Sequence, residues 1–212
     1  MKKILTYLAC FLLIGSVAKA QDVNDIIENV QKTYDKMKFF SAVFKQIETF
    51  KITGSQTEML GHIYIAGGEK YRFESDEQII ITDGENVWAY SSKSNQVIID
   101  KVKENSAALL PRDILFKYPK QYYATLLSED KHGDQTIYTI KLDPKEDTHG
   151  YVKSVKLWID KKYWLIHKIE AIDLRGNSTL FEISQIDTKN KIPDSYFTYE
   201  NQPGVEVVDR RE

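Results

Sequence analysis

Four histidines, a few acidic turns and a single cysteine are the side chains in this 212-residue chain whose types most readily do chemistry. His62, His132, His149 and His167 would be metal ligands or proton shuttles if two stood a helical turn apart. None does. His62 and His167 fall in strand-like stretches and His132 and His149 in turn-like ones, so they read as surface or half-buried side chains. The run Asp143-Pro144-Lys145-Glu146-Asp147 lacks the alternating oxygen ligands and mid-loop glycine of a calcium loop, and reads as a solvated acidic loop. Asp83-Gly84 lies between Ile79-Ile80-Ile81 and Val87-Trp88-Ala89-Tyr90, the setting of a hairpin turn rather than a catalytic acid. The sequence holds no nucleophile elbow, no P-loop and no dinucleotide fingerprint. No catalytic residue, metal or cofactor is therefore expected, and the chain does not read as an enzyme.

The elements that would position any site begin after an export signal. Met1-Lys2-Lys3 is a basic start, Ile4 to Val17 an apolar run, and Ala18-Lys19-Ala20 an A-x-A cleavage site. This predicts a cleaved signal peptide over residues 1–20, a single exported domain over residues 21–212, and so a location outside the cytoplasm. Cleavage would remove Cys10, leaving no thiol and so no cysteine chemistry. It would also remove three basic side chains and no acidic one, taking the net charge from −2 to −5. Neither value offers the basic footprint of a nucleic-acid binder, so no nucleic-acid partner is expected. No apolar run reaches the roughly 18 residues of a typical membrane-spanning helix.

Val23, Ile26, Ile27, Val30, Tyr34 and Met37 follow helical spacing, which predicts an amphipathic helix over 23–37 capped by Asp22 or Asn24. From Phe39 onward β-branched and aromatic residues predict strands near 39–52, 57–66, 70–75, 78–82, 86–91 and 95–102. Short turns such as Thr53-Gly54-Ser55 and Asp83-Gly84 divide them, so they should pair as antiparallel hairpins. Pro111 and Pro119 bracket a stretch within 105–127 that predicts short helices, with Leu109, Leu110, Ile114, Leu115, Phe116, Tyr118 and Tyr122 as their apolar set. Strands resume near 136–142, 152–159, 163–173, 178–188 and 195–200, with a last short one near 205–208. The fold class is mainly β: one large curved antiparallel sheet, an open half-barrel covered by short helices. Such a sheet has a concave face that must be filled or covered, and it can hold an apolar ligand.

Several strings resemble the LolA family of periplasmic outer-membrane lipoprotein carriers. Phe40, Ala42, Phe44 and Gln46 match its Phe-x-Ala-x-Phe-x-Gln strand. Gly61 to Ile65 and Tyr71-Arg72-Phe73 look like its next two strands. Thr82-Asp83-Gly84-Glu85-Asn86-Val87-Trp88-Ala89-Tyr90 is similar to its T-D-G-x-x-hydrophobic-W-x-Y motif. Asp173 to Thr179 resembles its late hairpin, and Phe197-Thr198-Tyr199 with Pro203-Gly204-Val205-Glu206-Val207 its ending. The match runs in order from about residue 23 to 209.

The resemblance implies an unclosed β-barrel with a helical lid over a hydrophobic cavity. It implies a monomeric carrier that binds the acyl chains of lipoproteins. The donor would be an inner-membrane ABC transporter complex and the acceptor an outer-membrane site, usually a receptor lipoprotein. By position in the resemblance, Tyr34, Phe73, Ile80, Leu109 and Leu110 should line the cavity; the amphipathic pattern adds Ile27, Val30, Ile114 and Leu115. Trp88 and Tyr90 share one strand face, which the sequence does not assign to either side. One departure stands out. The family often carries an Arg just after the Gly-x-hydrophobic strand that latches the lid, and here that stretch is Ala66-Gly67-Gly68. The alternative implied by that gap is a carrier or sensor of free lipid or another amphiphile built on the same fold.

Overall fold

The computed structural model describes residues 22–67, 69–102, 121–145 and 152–211. Helix α1 (Val23–Lys36) opens the described chain; the Asp22 carboxylate accepts the Asn24 N–H at 2.9 Å as its N-cap. Twelve strands follow: β1 (Phe39–Thr49), β2 (Gln56–Ala66), β3 (Lys70–Ser75), β4 (Gln78–Thr82), β5 (Asn86–Ser91), β6 (Gln96–Lys101), β7 (Tyr122–His132), β8 (Gln135–Pro144), β9 (Val152–Asp160), β10 (Leu165–Asp173), β11 (Ser178–Asp187) and β12 (Glu206–Asp209). They form one sheet in the order β12-β6-β5-β4-β3-β2-β1-β11-β10-β9-β8-β7. The sheet does not close on itself: β7 and β12 are its two edges. Pairing is antiparallel except where β12 adds in parallel to β6. The chain is thus mainly β, an open half-barrel with a helix.

The turns behave as their residue types dictate. The Asp83 carboxylate accepts the backbone N–H groups of Glu85 and Asn86 at 2.8 and 2.7 Å, and Gly84 adopts φ +101°. Burial raises the Asp83 carboxyl, but these bonds together outweigh it and hold the group below its ordinary value.

Three expectations are corrected. Tyr122 is the first residue of β7, not part of a helix, and the strands resume there rather than near 136. Tyr122, Ala124 and Leu126 face inward while Thr125 and Tyr123 do not, a period-two pattern hidden by the proline bracket upstream. Residues 195–200 do not form a strand; Asp194–Phe197 is a short 3-10 helix started by Pro193 at φ −61°, whose missing N–H suits a helix start. Strand β1 ends at Thr49 because the chain turns at Phe50, whose N–H bonds the Ser55 carbonyl at 2.9 Å. The expected helices within 105–120, including Leu109, Leu110, Ile114 and Leu115, lie outside the described residues, as does the predicted signal peptide.

Alternation gives the sheet two faces. The inner face carries Phe40, Ala42 and Phe44 of β1, Ile63 and Ile65 of β2, Tyr71 and Phe73 of β3, and Tyr138, Ile140 and Leu142 of β8. Leu157, Ile169 and Phe181 continue it across β9, β10 and β11. Helix α1 docks there through Ile26, Val30 and Tyr34, over the wing made by β7 and β10. The outer face of the other wing is covered by the C-terminal segment. Ile81, Trp88, Val97 and Ile99 pack against Tyr199 and Val205, and Ala66 against Ile192 and Phe197.

Candidate functional site

The residues that could hold an apolar ligand are those on the inner face, and an aromatic wall organises them. The Phe44 and Phe73 rings stack with centroids 4.4 Å apart, and Phe181 stands 6.2 Å from Phe44. The stack is possible because β2 carries a glycine beneath it. A Cβ on Gly61 would lie 2.3 Å from the Phe44 ring and 2.3 Å from the Glu74 carbonyl.

The helix side is fixed by Tyr34. Its ring lies 5.9 Å from Phe40, and its hydroxyl accepts the Ile166 N–H at 3.1 Å. That N–H sits where the β9–β10 register shifts between Ile166 and Lys168, so the phenol satisfies a donor at an irregularity in the ladder. Burial pushes the Tyr34 phenol far above its usual value, and the bond from Ile166 only partly offsets this.

Cross-strand register lines up one row over the other wing: Ala42, Ile63, Phe73, Ile80, Ala89 and Ile98. Burial falls along it. Ala42, Ile63 and Phe73 are buried, whereas Ile80, Ala89 and Ile98 are half-buried. The apolar surface therefore passes from a packed interior beneath α1 to a partly open apolar floor on β4, β5 and β6.

The residues expected from sequence fall in two groups. Tyr34, Val30 and Phe73 are buried in the inner cluster, with Phe73 only 3% exposed; Ile27 and Ile80 are half-buried against it. Leu109, Leu110, Ile114 and Leu115 lie outside the described residues. Sequence reasoning did not single out Phe44, Phe181, Ala89 and Ile98. The first was legible from the alternation of Phe40, Ala42 and Phe44, Ala89 from the parity of the hairpin at Asp83-Gly84, and Ile98 from that of the next hairpin at Lys93-Ser94-Asn95. Nothing local marks Phe181, which reaches Phe44 only because β11 closes on β1.

Trp88 and Tyr90 face outward. So does Arg72, which pairs with Glu74 at 2.7 Å and stands 6.0 Å from the Tyr196 ring. The described residues also enclose a polar cleft of about 580 Å³ on this outer face, lined by His62, Tyr64, Arg72 and Glu74 beneath Tyr196 and Tyr199. None of the residues expected to line a cavity borders it. Among the described residues no group of three His, Cys, Asp or Glu side chains could hold a metal ion, and no helix is long and apolar enough to cross a membrane.

An open antiparallel sheet with a continuous apolar inner face and a helix docked on one wing defines a half-barrel class of protein. Sequence comparison narrows it. The chain belongs to the family described as outer membrane lipoprotein carrier protein LolA, whose model matches residues 35–200. It is 24% identical to an outer-membrane lipoprotein carrier protein of Aeromonas salmonicida, covering 94% of this chain and 98% of that one. It is 23% identical to one of Pseudomonas aeruginosa, covering 98% and 99%. An uncharacterised protein of Methanocaldococcus jannaschii is 22% identical over 95% of this chain, which spans 59% of that relative's length. The crystal structure of an uncharacterised conserved protein from Thermus thermophilus shares the fold, with a TM-score of 0.60 at 14% identity over 90% of this chain and 100% of that one.

Proposed function

We propose that this protein is a periplasmic carrier that shields the acyl chains of lipoproteins against its inner face and moves them from the inner to the outer membrane. The observation that carries this reading is the apolar row from Phe73 through Ile80 and Ala89 to Ile98, which grows more open away from α1. Exposing an acyl chain to water costs about 0.8 kcal/mol per CH₂, so a multiply acylated cargo needs a continuous apolar surface rather than a few contacts. The wall would comprise Tyr34, Phe73, Ile80, Ile27 and Val30, joined by Leu109, Leu110, Ile114 and Leu115.

No chemical step is needed. Apolar contact is non-directional, so a chain can enter and leave as the cover over the inner face shifts. Export by the predicted signal peptide, an ABC transporter as donor and an outer-membrane receptor as acceptor complete the proposed cycle. The family relationship supports the cargo class.

One observation favours a second reading. β2 ends at Ala66 and Gly67 follows it, where the family often has its latching Arg, and Arg72 is turned to the outer face and paired with Glu74. A carrier without that latch could serve free lipid. Displacement of a fluorescent fatty acid tests binding and competition with acylated lipopeptide tests cargo. Ile80→Glu, at a half-buried wall position, should abolish both signals, and Tyr90→Phe on the outer face should change neither. Wild-type binding of fatty acid but not lipopeptide would favour the second reading. Retention of both by Ile80→Glu would remove the inner face from the account.

A further inference from the structure

The strongest exposed apolar feature of the described residues lies at one end of the sheet, away from the proposed wall. The β1–β2 hairpin presents Phe50 and Ile52, 40% and 94% exposed, and the β10–β11 hairpin presents Leu174, 67% exposed. The two tips are neighbours because β1 pairs with β11 out to Thr49 and Ser178. They are also tied together: the Lys51 N–H donates to the Asn177 Oδ1 at 3.1 Å, and the Lys51 stem lies over Gly176. Strand β3 pairs with β2 only from Gly61 onward, so residues 56–60 carry the first hairpin beyond its neighbour by roughly 17 Å.

The charge at these tips opposes that of the chain. Lys51 and Arg175 are the charged residues of the two turns, 50–55 and 174–177, in a chain of net charge −2. The nearest acids lie one layer in and are engaged. Asp173 accepts the backbone N–H and side-chain amide of Asn177, both at 2.8 Å, and Glu48 accepts the Gln46 amide at 3.0 Å. Glu58 pairs with Lys45 at 2.9 Å.

Large apolar side chains at a projecting, cationic tip suit an interface where headgroups are anionic and the layer beneath is hydrocarbon. We propose that the paired tips of the β1–β2 and β10–β11 hairpins touch an anionic phospholipid surface, with Ile52, Phe50 and Leu174 entering the headgroup boundary and Lys51 and Arg175 meeting the phosphates. Burying three apolar side chains and two cations gives weak, reversible contact rather than anchoring. The contact goes beyond the carrier reading and does not depend on what the inner face binds.

The test uses protein exported with its own leader and purified from the periplasm, bearing an environment-sensitive fluorophore at Ile52→Cys. A second probe at Asp134→Cys marks the opposite end of the sheet. Vesicles of phosphatidylcholine mixed equally with phosphatidylglycerol should raise and blue-shift the Ile52→Cys signal, and vesicles of phosphatidylcholine alone should do so far less. The Asp134→Cys probe should stay silent. Leu174→Glu in the labelled protein should weaken the response at least several-fold, and raised salt should weaken it further. Circular dichroism on Leu174→Glu checks that the fold is retained, as an exposed turn position predicts. No response to either vesicle, an equal response at Asp134→Cys, or binding only to membranes that retain their proteins would overturn the proposal, the last by assigning the tips to a protein partner.

Discussion

On β4, β5 and β6 two apolar rows run side by side, one residue apart, and meet different fates. The outward row of Ile81, Trp88 and Ile99 is buried, because the chain's own C-terminal segment brings Tyr199 and Val205 down upon it. The inward row of Ile80, Ala89 and Ile98 is only half-buried. Both rows are apolar and both alternate at period two, so hydrophobicity alone does not tell a core from a binding surface. What separates them, among the described residues, is the cover that the C-terminal segment lays on the outward row. A face sealed by covalently continuous residues contributes to stability. A face left partly open keeps apolar area available for something that comes and goes.

Substitutions on the two rows should therefore separate stability from binding. Trp88→Ala opens a cavity in the sealed outer cluster and should cost about 3–5 kcal/mol in urea unfolding, with fatty-acid affinity per folded molecule unchanged. A matching loss of affinity would mean the two faces are coupled. Gly61→Ala places a methyl group against the Phe44 ring and the Glu74 carbonyl, and should cost about 1–3 kcal/mol by forcing β2 and β3 or the aromatic stack apart. Unlike Trp88→Ala, it should also weaken binding, since the wall itself shifts.

Tyr34→Phe removes the acceptor for the Ile166 N–H and should cost about 1–3 kcal/mol. It should also change the alkaline limb of stability. The folded state holds the phenol above its unfolded value near 10, so the folded protein keeps the proton longer. That contribution is complete below pH about 10 and is lost as pH rises further, as the unfolded chain ionises first. Wild type should lose stability more steeply than Tyr34→Phe above pH about 10 in thermal melts. Parallel curves would show that the phenol does not titrate with unfolding. Glu74→Gln, at a partly exposed outer ion pair with Arg72, should shift stability by less than about 1 kcal/mol and leave binding intact.

Much of this arrangement was legible because strands and turns are local. A cap at Asp22 or Asn24, Asp83-Gly84 as a turn and the order of strands β1 to β6 follow from residue types within a few positions of one another, and the structure assigns the cap to Asp22. Tyr34, Val30 and Phe73 were legible as apolar residues of regular elements, and all three are buried on one face. The non-local facts were not legible. Phe181 meets Phe44 only because β11 returns to pair with β1, and no spacing encodes that. The outward assignment of Trp88 and Tyr90 depends on where the C-terminal segment lies. β7 was hidden for a different reason: the prolines at 111 and 119 suggested helices, and that suggestion extended past the point where alternation resumed.

On the proposed function the inner row, and not its outward neighbour, meets acyl chains. In-cell photocrosslinking tests it directly, with a photoreactive amino acid at Ile80 on the inner row and, separately, at Tyr90 on the outer face, followed by mass spectrometry of the adducts. Acylated lipoprotein adducts are expected from Ile80 and none from Tyr90. Equal adducts from both positions, or acylated adducts from Tyr90 alone, would contradict it.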